Sequence, residues 1–491
     1  MKDMVPEIRQ LDYKIPAFLG FDAMADDSVS LGYCSYGYNI ACENGKLVRG
    51  YGVDAATFMD SAIALPRSIF GSMRKIFLLR RVNPSTLARE DALLGITDGR
   101  RPIYARIDSG VEYFPSSGIT LQTEDVDAVN VKINGEDVLV LYVGTGGAYV
   151  YNSTTLVSHV NVPGFTTVCQ HYGRIYGANK NGASRVTYSA QLEPLNFTPT
   201  LDGAGFVNLD DEGGAIQKLI SFKDNLYIFR DYAIYRLTAF TSPSDSKLTK
   251  VVSGNRFING NTAVVVGDRI IYLTDDGLMS FDGYNAQPCF RKINPWFENT
   301  RNASATFYDG KYFLAFKMIN PDNVKIGDEA IPLMPVTNDS MLVIDTESSD
   351  VAIMRGTDIR QFLHIAVGLH KGLYCIFGNA RGATFGKISR SGRLPNGAVL
   401  PKLWRTHATS LLQFDQMKTV KRAYVRSPHP IRVTVKADGK KRTHECGTGE
   451  TQCLPYNLCG EKVALEIATE ADELFVDGIK LDINVNRRLR L

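Results

Sequence analysis

A polar turn followed by a short run of apolar and aromatic residues recurs seven times along this chain, and that repeat restricts the fold more than any other feature. It begins with Asp98-Gly99 before Pro102-Ile103-Tyr104-Ala105 and continues with Asn134-Gly135 before Val138 to Val143, then Tyr172-Gly173 before Ile175 to Ala178. Lys223-Asp224-Asn225 precedes Leu226-Tyr227-Ile228-Phe229, Gly267-Asp268 precedes Ile270 to Leu273, Asp309-Gly310 precedes Tyr312 to Phe316, and Lys371-Gly372 precedes Leu373 to Phe377. With Gly99, Gly135, Gly173, Asp224, Asp268, Gly310 and Gly372 as anchors, the spacing runs from roughly 36 to roughly 62 residues, the range of a four-stranded propeller blade. Further strand-like runs follow within units, as at Asp231 to Leu237, Asp276 to Phe281 and Met341 to Asp345, which is the cadence of hairpins. A single blade cannot bury both of its faces, so the units must stack or close, and seven anchors predict a ring of about six to eight blades. One or two generic β-sandwiches are the alternative, because the repeat is degenerate.

Composition agrees with an all-β fold. Forty-three glycines, 23 tyrosines and 24 phenylalanines suit many short strands joined by tight turns. At 44% hydrophobic and 22% charged the 491-residue chain is expected to fold throughout, as several domains or as one large repetitive domain. A formal charge of +3 is too balanced for a nucleic-acid coat or a membrane-surface protein. Residues 1–16 hold no continuous apolar stretch of the kind a secretory signal needs, and nothing approaches the roughly 20 apolar residues of a membrane span, so no membrane insertion is expected. The eight cysteines are scattered and read mostly as reduced thiols within strand-like runs.

Around Ser389 to Pro401 the composition shifts to Arg, Gly, Ser, Pro and Asn, which reads as a linker or exposed loop. Beyond it, alternating runs at Ala423 to Val425, Ile431 to Val435, Val463 to Ile467 and Ile479 to Val485 predict a compact antiparallel, β-sandwich-like module. The chain therefore divides into an N-terminal arm with a ring-closing strand over 1–60, a β-propeller over 61–390 and the terminal module over 391–491. Ala55 to Lys75 is the one modest helix candidate.

Chemistry-bearing patterns are sparse. Seven histidines lie far apart, apart from His364 and His370, which straddle a turn and read as surface or blade-edge residues; there is neither a His-Glu-x-x-His pair nor a Gly-x-Ser-x-Gly elbow. Cys446, Cys453 and Cys459, with His444 nearby, form the most suggestive cluster, but their gaps of seven and six exceed the two to four residues of a zinc knuckle. Gly144-Thr145-Gly146-Gly147 leads into a strand instead of a phosphate-holding helix and reads as a hairpin turn. Asp210-Asp211-Glu212 and Asp275-Asp276 offer carboxylates without an intact Ser-x-Asp-x-Gly-x-x-Trp box, and Trp296 and Trp404 are too few for a carbohydrate platform. The basic runs Lys436 to Arg442 and Arg487 to Leu491 read as solvated charge. No catalytic, cofactor or metal residues are expected. The aromatics Tyr33, Tyr36, Tyr38 and Trp404, lying outside the blades, are the expected interface residues.

Two phrases, Phe222-Lys223-Asp224-Asn225-Leu226-Tyr227-Ile228-Phe229-Arg230 and Tyr272 to Gly283, together with Asn39, Asn44-Gly45-Lys46-Leu47 near the start, resemble propeller proteins of bacteriophage tails and head-tail junctions. So does Leu403-Trp404-Arg405-Thr406 followed by Met417 to Val425. The resemblance is to the tail-nozzle and packaged-DNA-stabilising class of short-tailed phages. It implies a non-enzymatic virion protein assembled in the host cytoplasm, several copies of which form a ring that retains and conducts DNA during ejection. Portal or adaptor and other tail proteins are the implied partners, with transient contact to genomic DNA and no cofactor. A receptor-binding or polysaccharide-degrading tail propeller and a cellular propeller scaffold are the alternatives. Because propeller closure leaves only short, protected edges, removing residues 1–50 is expected to spare blade folding while preventing incorporation into the particle, unless the arm supplies the strand that closes the ring.

Overall fold

The near-continuous apolar runs are strands buried on both faces. In Glu136–Val143, Leu139, Leu141 and Val143 pack on one side with Leu79, Leu94 and Ile96, while Val138, Val140 and Tyr142 pack on the other with Val168 and Ile175. Asn225–Arg230 repeats the arrangement: Leu226 and Ile228 meet Tyr176 and Val186, and Tyr227 and Phe229 meet Ile270 and Phe281. Side chains alternate across a strand, so only a sheet covered by neighbours on both sides tolerates such a run. Each aliphatic side chain so covered contributes roughly 1.5–3 kcal/mol.

The computed structural model describes residues 8–24, 30–55, 73–83, 85–106, 114–115, 118–180, 184–200, 203–238, 246–319, 338–366, 370–379, 382–394, 397–411, 413 and 416–487. The helix candidate falls largely outside them, at 56–72; Met73 and Lys75 belong to a strand.

Seven antiparallel blades follow in chain order. The first five are each built from four consecutive strands, numbered outward from the axis. Blade 1 holds Met73–Val82, Arg89–Thr97, Pro102–Arg106 and Phe114–Pro115; blade 2 holds Val126–Ile133, Glu136–Val143, Ala148–Tyr151 and Leu156–His159. Blade 3 holds Thr167–His171, Arg174–Ala178, Arg185–Tyr188 and Gly205–Asn208, and blade 4 Ile216–Phe222, Asn225–Arg230, Ala233–Thr238 and Lys247–Ser253. Blade 5 holds Ile258–Val266, Arg269–Thr274, Gly277–Phe281 and Ala286–Pro288. Blade 6 begins with Phe297–Tyr308, Lys311–Met318, Ser340–Asp345 and Val351–Arg355. Blade 7 takes Asp358–Ile365, Gly372–Asn379 and Gly382–Ser389 from this region, and its fourth strand is Gly52–Ala55, paired from Gly386↔Ala55 to Ser389↔Gly52.

First strands of successive blades pack side by side, and that of blade 7 meets that of blade 1, so the ring is closed. Gln361 pins this closure twice: its Oε1 accepts the Ile76 N–H (3.1 Å) and its Nε2 donates to the Ile76 carbonyl (2.8 Å). Six of the seven anchor turns join the first and second strands of blades 2 to 7. The exception is Gly99, which sits in the second turn of blade 1; the first is the Asn83–Ala88 loop, closed by the Asn83 N–H on Ala88 O (2.8 Å). At Asn134-Gly135 both residues have positive φ (52° and 85°), the conformation a two-residue hairpin turn demands and Asn-Gly supplies with little strain.

Two further antiparallel sheets face each other and share one core, forming a β-sandwich. One orders Ile8–Ile15, Ile479–Arg487, Gln416–Arg426 and Thr451–Gly460; the other orders Tyr36–Tyr38, Lys402–Arg405, Val463–Thr469, Ile431–Ala437 and Lys440–Cys446. The arm therefore contributes a strand to each sheet, and residues 391–491 do not form the sandwich by themselves. Between these two strands and blade 7 the arm does something else. The hairpin Ile40–Glu43 and Lys46–Arg49 adds to the outer edge of blade 6, and Phe475–Val476 of the terminal region adds to that hairpin, giving one seven-stranded sheet.

Asn39, fully buried, shows why the pieces hold together: its Oδ1 accepts the Arg355 N–H (2.7 Å) and its Nδ2 donates to Pro401 O (2.7 Å). The expected linker at Ser389 to Pro401 is packed in the same way, with Arg393 O accepting the Val53 N–H (2.9 Å) and Leu400 fully buried. Composition suggested exposure there, and Arg393, Gly397 and Ala398 are exposed, but Gly392 and Leu400 are buried and the segment pairs with the arm.

Candidate functional site

Of the four aromatics expected at an interface, three are interior. Tyr36 and Tyr38 are 4% and 6% exposed, Trp404 is fully buried, and the Phe18 ring meets the Trp404 indole edge-on at 5.1 Å. Tyr36 OH accepts from the Arg355 guanidinium, and burial pushes the Tyr38 phenol up to about 12. Gly37 between them fits because a Cβ there would lie 2.7 Å from Leu403 O. These residues weld the arm to the terminal module, which corrects their assignment as an outer surface. Tyr33 is half-buried beneath Lys292, whose Nζ lies 4.4 Å from its ring centre. Their aromatic character signals burial and docking, but the partner is the chain's own arm.

The sequence clusters disperse likewise. Cys446 faces the core, where burial pushes its thiol up to about 11, whereas Cys453 and Cys459 lie on the opposite, outward side of Thr451–Gly460. His444 places Nε2 2.6 Å from Pro455 O. No group of three potential metal ligands occurs among the described residues. Asp211 is engaged by Arg230, Tyr235 and Lys250 (2.9 Å), and its carboxyl is held far below the usual range, chiefly by the Tyr235 hydroxyl. Asp275 accepts from Thr300 Oγ1 (2.9 Å), and Asp276 pairs with Arg256. These carboxylates brace turns. His364 stacks edge-on against Tyr308 at 4.7 Å, and His370 O accepts from Tyr374 OH (2.8 Å). Of the C-terminal basic run, residues 488–491 lie outside the described residues.

Where sequence reasoning found nothing, the ring assembles a charged mouth. The starts of the first strands and the end of the second strand of blade 3, with Asn179 and Lys180, lie at one end of the ring. Lys75 of blade 1 donates to Val126 O of blade 2 (2.7 Å), and Lys180 of blade 3 reaches past blade 4 to Asn261 Oδ1 of blade 5 (3.0 Å). Lys218 stands on the first strand of blade 4, beside Gly260, where a Cβ would come 3.0 Å from the Lys218 Cβ. Burial lowers the Lys75 ammonium from its ordinary range, and burial with the neighbouring charges of Lys218 and Lys75 brings Lys180 down to about 8. Glu124, Asp125 and Asp127 lie in the same field and partly offset this. Other cations at the same end have carboxylate partners: Arg360 meets Asp358 at 3.1 Å, and Arg74 meets Asp98 and, at 3.8 Å, Glu124. None of the three lysines has a carboxylate within ion-pair distance among the described residues. Their positions fall in three separate blades, and no local spacing announces them.

No protein-family model matches the chain, and no curated protein matches it. Solved structures similar to it include BBS1N in complex with ARL6DN, at 10% identity and TM-score 0.39 over 62% of this chain and 88% of that one. The Neurospora crassa Pan2 WD40 domain is similar at 10% identity and TM-score 0.38, over 70% of this chain and 96% of that domain. YCF48 from Cyanidioschyzon merolae follows at 11% identity and TM-score 0.33, over 48% and 80%. The blade order described above, and not these likenesses, establishes a seven-bladed β-propeller.

Proposed function

We propose that this chain is a non-catalytic structural protein of a bacteriophage tail or head-tail junction, present in several copies as a ring that retains and conducts DNA during ejection. Portal or adaptor and other tail proteins are its partners in this reading. The observation that carries the structural part is the seven-stranded sheet shared by blade 6, the arm hairpin and Phe475–Val476. It joins propeller and sandwich through backbone hydrogen bonds, so a force applied to one module reaches the other without a flexible hinge. That rigidity suits a part of a mechanical assembly. The phage assignment draws on the phrases around Phe222 to Arg230, Tyr272 to Gly283 and Leu403 to Val425. A formal charge of +3 suits a conduit that must not grip DNA, because phosphate contacts bring strong, salt-dependent retention.

Cryo-electron microscopy of the native particle tests this. The expected result is density for the chain in a ring around the DNA channel. Density at the tip of a flexible fibre would replace the reading with receptor binding, and absence from any virion would replace it with a cellular scaffold.

A further inference from the structure

We propose that the channel mouth framed by Lys75, Lys180 and Lys218 is a binding site for a tetrahedral oxyanion of the phosphate class. The proposal stands on the geometry of the propeller and does not require the phage assignment. Lysines of blades 1, 3 and 4 stand at one end of the ring, Lys75 with its ammonium on Val126 O, Lys180 with its ammonium on Asn261 Oδ1 and Lys218 near the start of its first strand, and none has a carboxylate at ion-pair distance among the described residues. Nearby arginines at the same end do have such partners, so the lack belongs to this trio.

Like charges set at one end of a ring repel, and burial has cost the Lys75 and Lys180 ammonium groups part of their hydration. The nearest acids answer this incompletely. Asp127 spends Oδ2 on the Val168 N–H (2.9 Å) and Oδ1 on the Ala128 N–H (3.0 Å), Glu124 leans to Arg74 (3.8 Å), and Asp125 is exposed to solvent. Two of the lysines are nevertheless held in place, Lys75 by Val126 O and Lys180 by Asn261 Oδ1. An ammonium has three N–H donors, so each keeps two for a ligand. Charge-assisted hydrogen bonds from three directions match an anion with oxygens on several sides better than a planar or singly bonded one. A multivalent oxyanion supplies the missing counter-charge and removes the mutual repulsion. A bound anion would move the depressed Lys180 ammonium back toward its ordinary range.

Isothermal titration of the full chain with inorganic phosphate, against chloride at matched ionic strength, is the direct test. One equivalent is expected to bind in the millimolar range or tighter, with affinity fading as pH rises through about 8, where Lys180 loses its proton. Lys180→Met and Lys218→Met should each weaken binding about tenfold or more, the worth of a charge-assisted hydrogen bond. Lys180→Arg should retain it, and Lys440→Met on an edge strand of the sandwich should change nothing. Circular dichroism of each variant separates lost binding from lost folding. A second arm titrates a short oligodeoxynucleotide with and without a 5′-phosphate: preference for the phosphorylated form places the anion on a nucleic-acid end, and equal indifference alongside inorganic phosphate binding assigns the site to the free ion. No phosphate-dependent heat in the wild type, or an unchanged affinity in Lys180→Met and Lys218→Met, overturns the proposal. Either result leaves the location of the chain in a virion to the microscopy above.

Discussion

Blades 2 to 5 and blades 6 and 7 reach the same sheet geometry by opposite routes. In blade 2 four strands between Val126 and His159 follow one another through short turns, and every pairing is between neighbours in sequence. Blade 7 borrows its fourth strand from Gly52–Ala55, over 330 residues away, and blade 6 is extended by Ile40–Arg49 and Phe475–Val476. Local blades cost little loop-closure entropy, whereas the distant pairings must be stabilised by extensive burial once the ends meet. The arm is therefore the element on which the non-local half depends.

The largest effect expected from this contrast is that of deleting residues 1–50. The deletion removes a strand from each sandwich sheet and the whole bridging hairpin, and it uncovers buried side chains that the arm packs against, among them Trp404 of the sandwich and Ile353 on the outer strand of blade 6. The expected outcome is loss of a cooperative thermal transition and of soluble yield. This reverses the expectation that such a deletion spares the blades. A truncated chain that melts like the full one would show that the arm is dispensable and break the comparison.

Next in size is Trp404→Ala. The indole is fully buried against Phe18, and truncation should cost about 3–5 kcal/mol by denaturant titration. Tyr142→Ala in blade 2 empties a comparable space lined by Phe165 and Phe197 and should cost a similar amount. Hydrogen exchange distinguishes them: Trp404→Ala should loosen Tyr36–Tyr38 and Val463–Thr469 together, although these strands are separated by the whole propeller in sequence. Loosening confined to residues after 400 would mean that arm and module are not one unit.

How much of this was legible followed the same division. The run Val138 to Val143 and the turn Asn134-Gly135 announce a doubly covered strand and its hairpin because every cause lies within about ten residues. Gly99 misled the count by one turn, since Asn83–Ala88 closes through a main-chain bond that carries no Gly signature. Tyr36, Tyr38 and Trp404 were legible as docking aromatics but not as to their partner, because burial in a self-contact and burial in an interface use the same side chains. Lys75, Lys180 and Lys218 were invisible, each an ordinary lysine until ring closure brings them together.

A smaller effect comes from Lys402, buried at the start of the module with Nζ donating to Leu400 O (3.1 Å) and Ala471 O (2.7 Å). Burial lowers it to about 8. Because the folded value lies below the unfolded one near 10.4, the unfolded chain binds more protons between them, and the penalty present below pH 8 fades as pH rises. Stability of the wild type relative to Lys402→Met should rise by up to about 3 kcal/mol between pH 7 and 10. The buried thiols Cys42 and Cys375, held protonated in the fold, act in the opposite sense above pH 9 but are common to both proteins and cancel. A flat difference would mean that Lys402 stays charged when buried.

The smallest effect separates the closure seam from an ordinary blade junction. Asn130 joins blades 1 and 2 as Gln361 joins blades 7 and 1: its Oδ1 accepts the Arg80 N–H (2.9 Å), and its Nδ2 donates to Leu78 O (3.0 Å). Asn130→Ala and Gln361→Ala each delete one donor and one acceptor bonded to main chain, so both should cost about 1–2 kcal/mol globally. Their local consequences should differ. In sequence the fourth strand of one blade precedes the first strand of the next, and in blade 7 that fourth strand is Gly52–Ala55, held to Gly382–Ser389 by four register pairs, as many as in blade 2, but between segments more than 330 residues apart. If those pairs open, the Gln361 bridge is among the contacts still fastening blade 7 to blade 1. Without it, exchange should accelerate selectively in Gly52–Ala55 and Asp358–Ile365, while Asn130→Ala should raise exchange evenly with the global loss. Identical exchange maps would mean that the borrowed strand is as firmly seated as a local one, and the ring would have no weak seam.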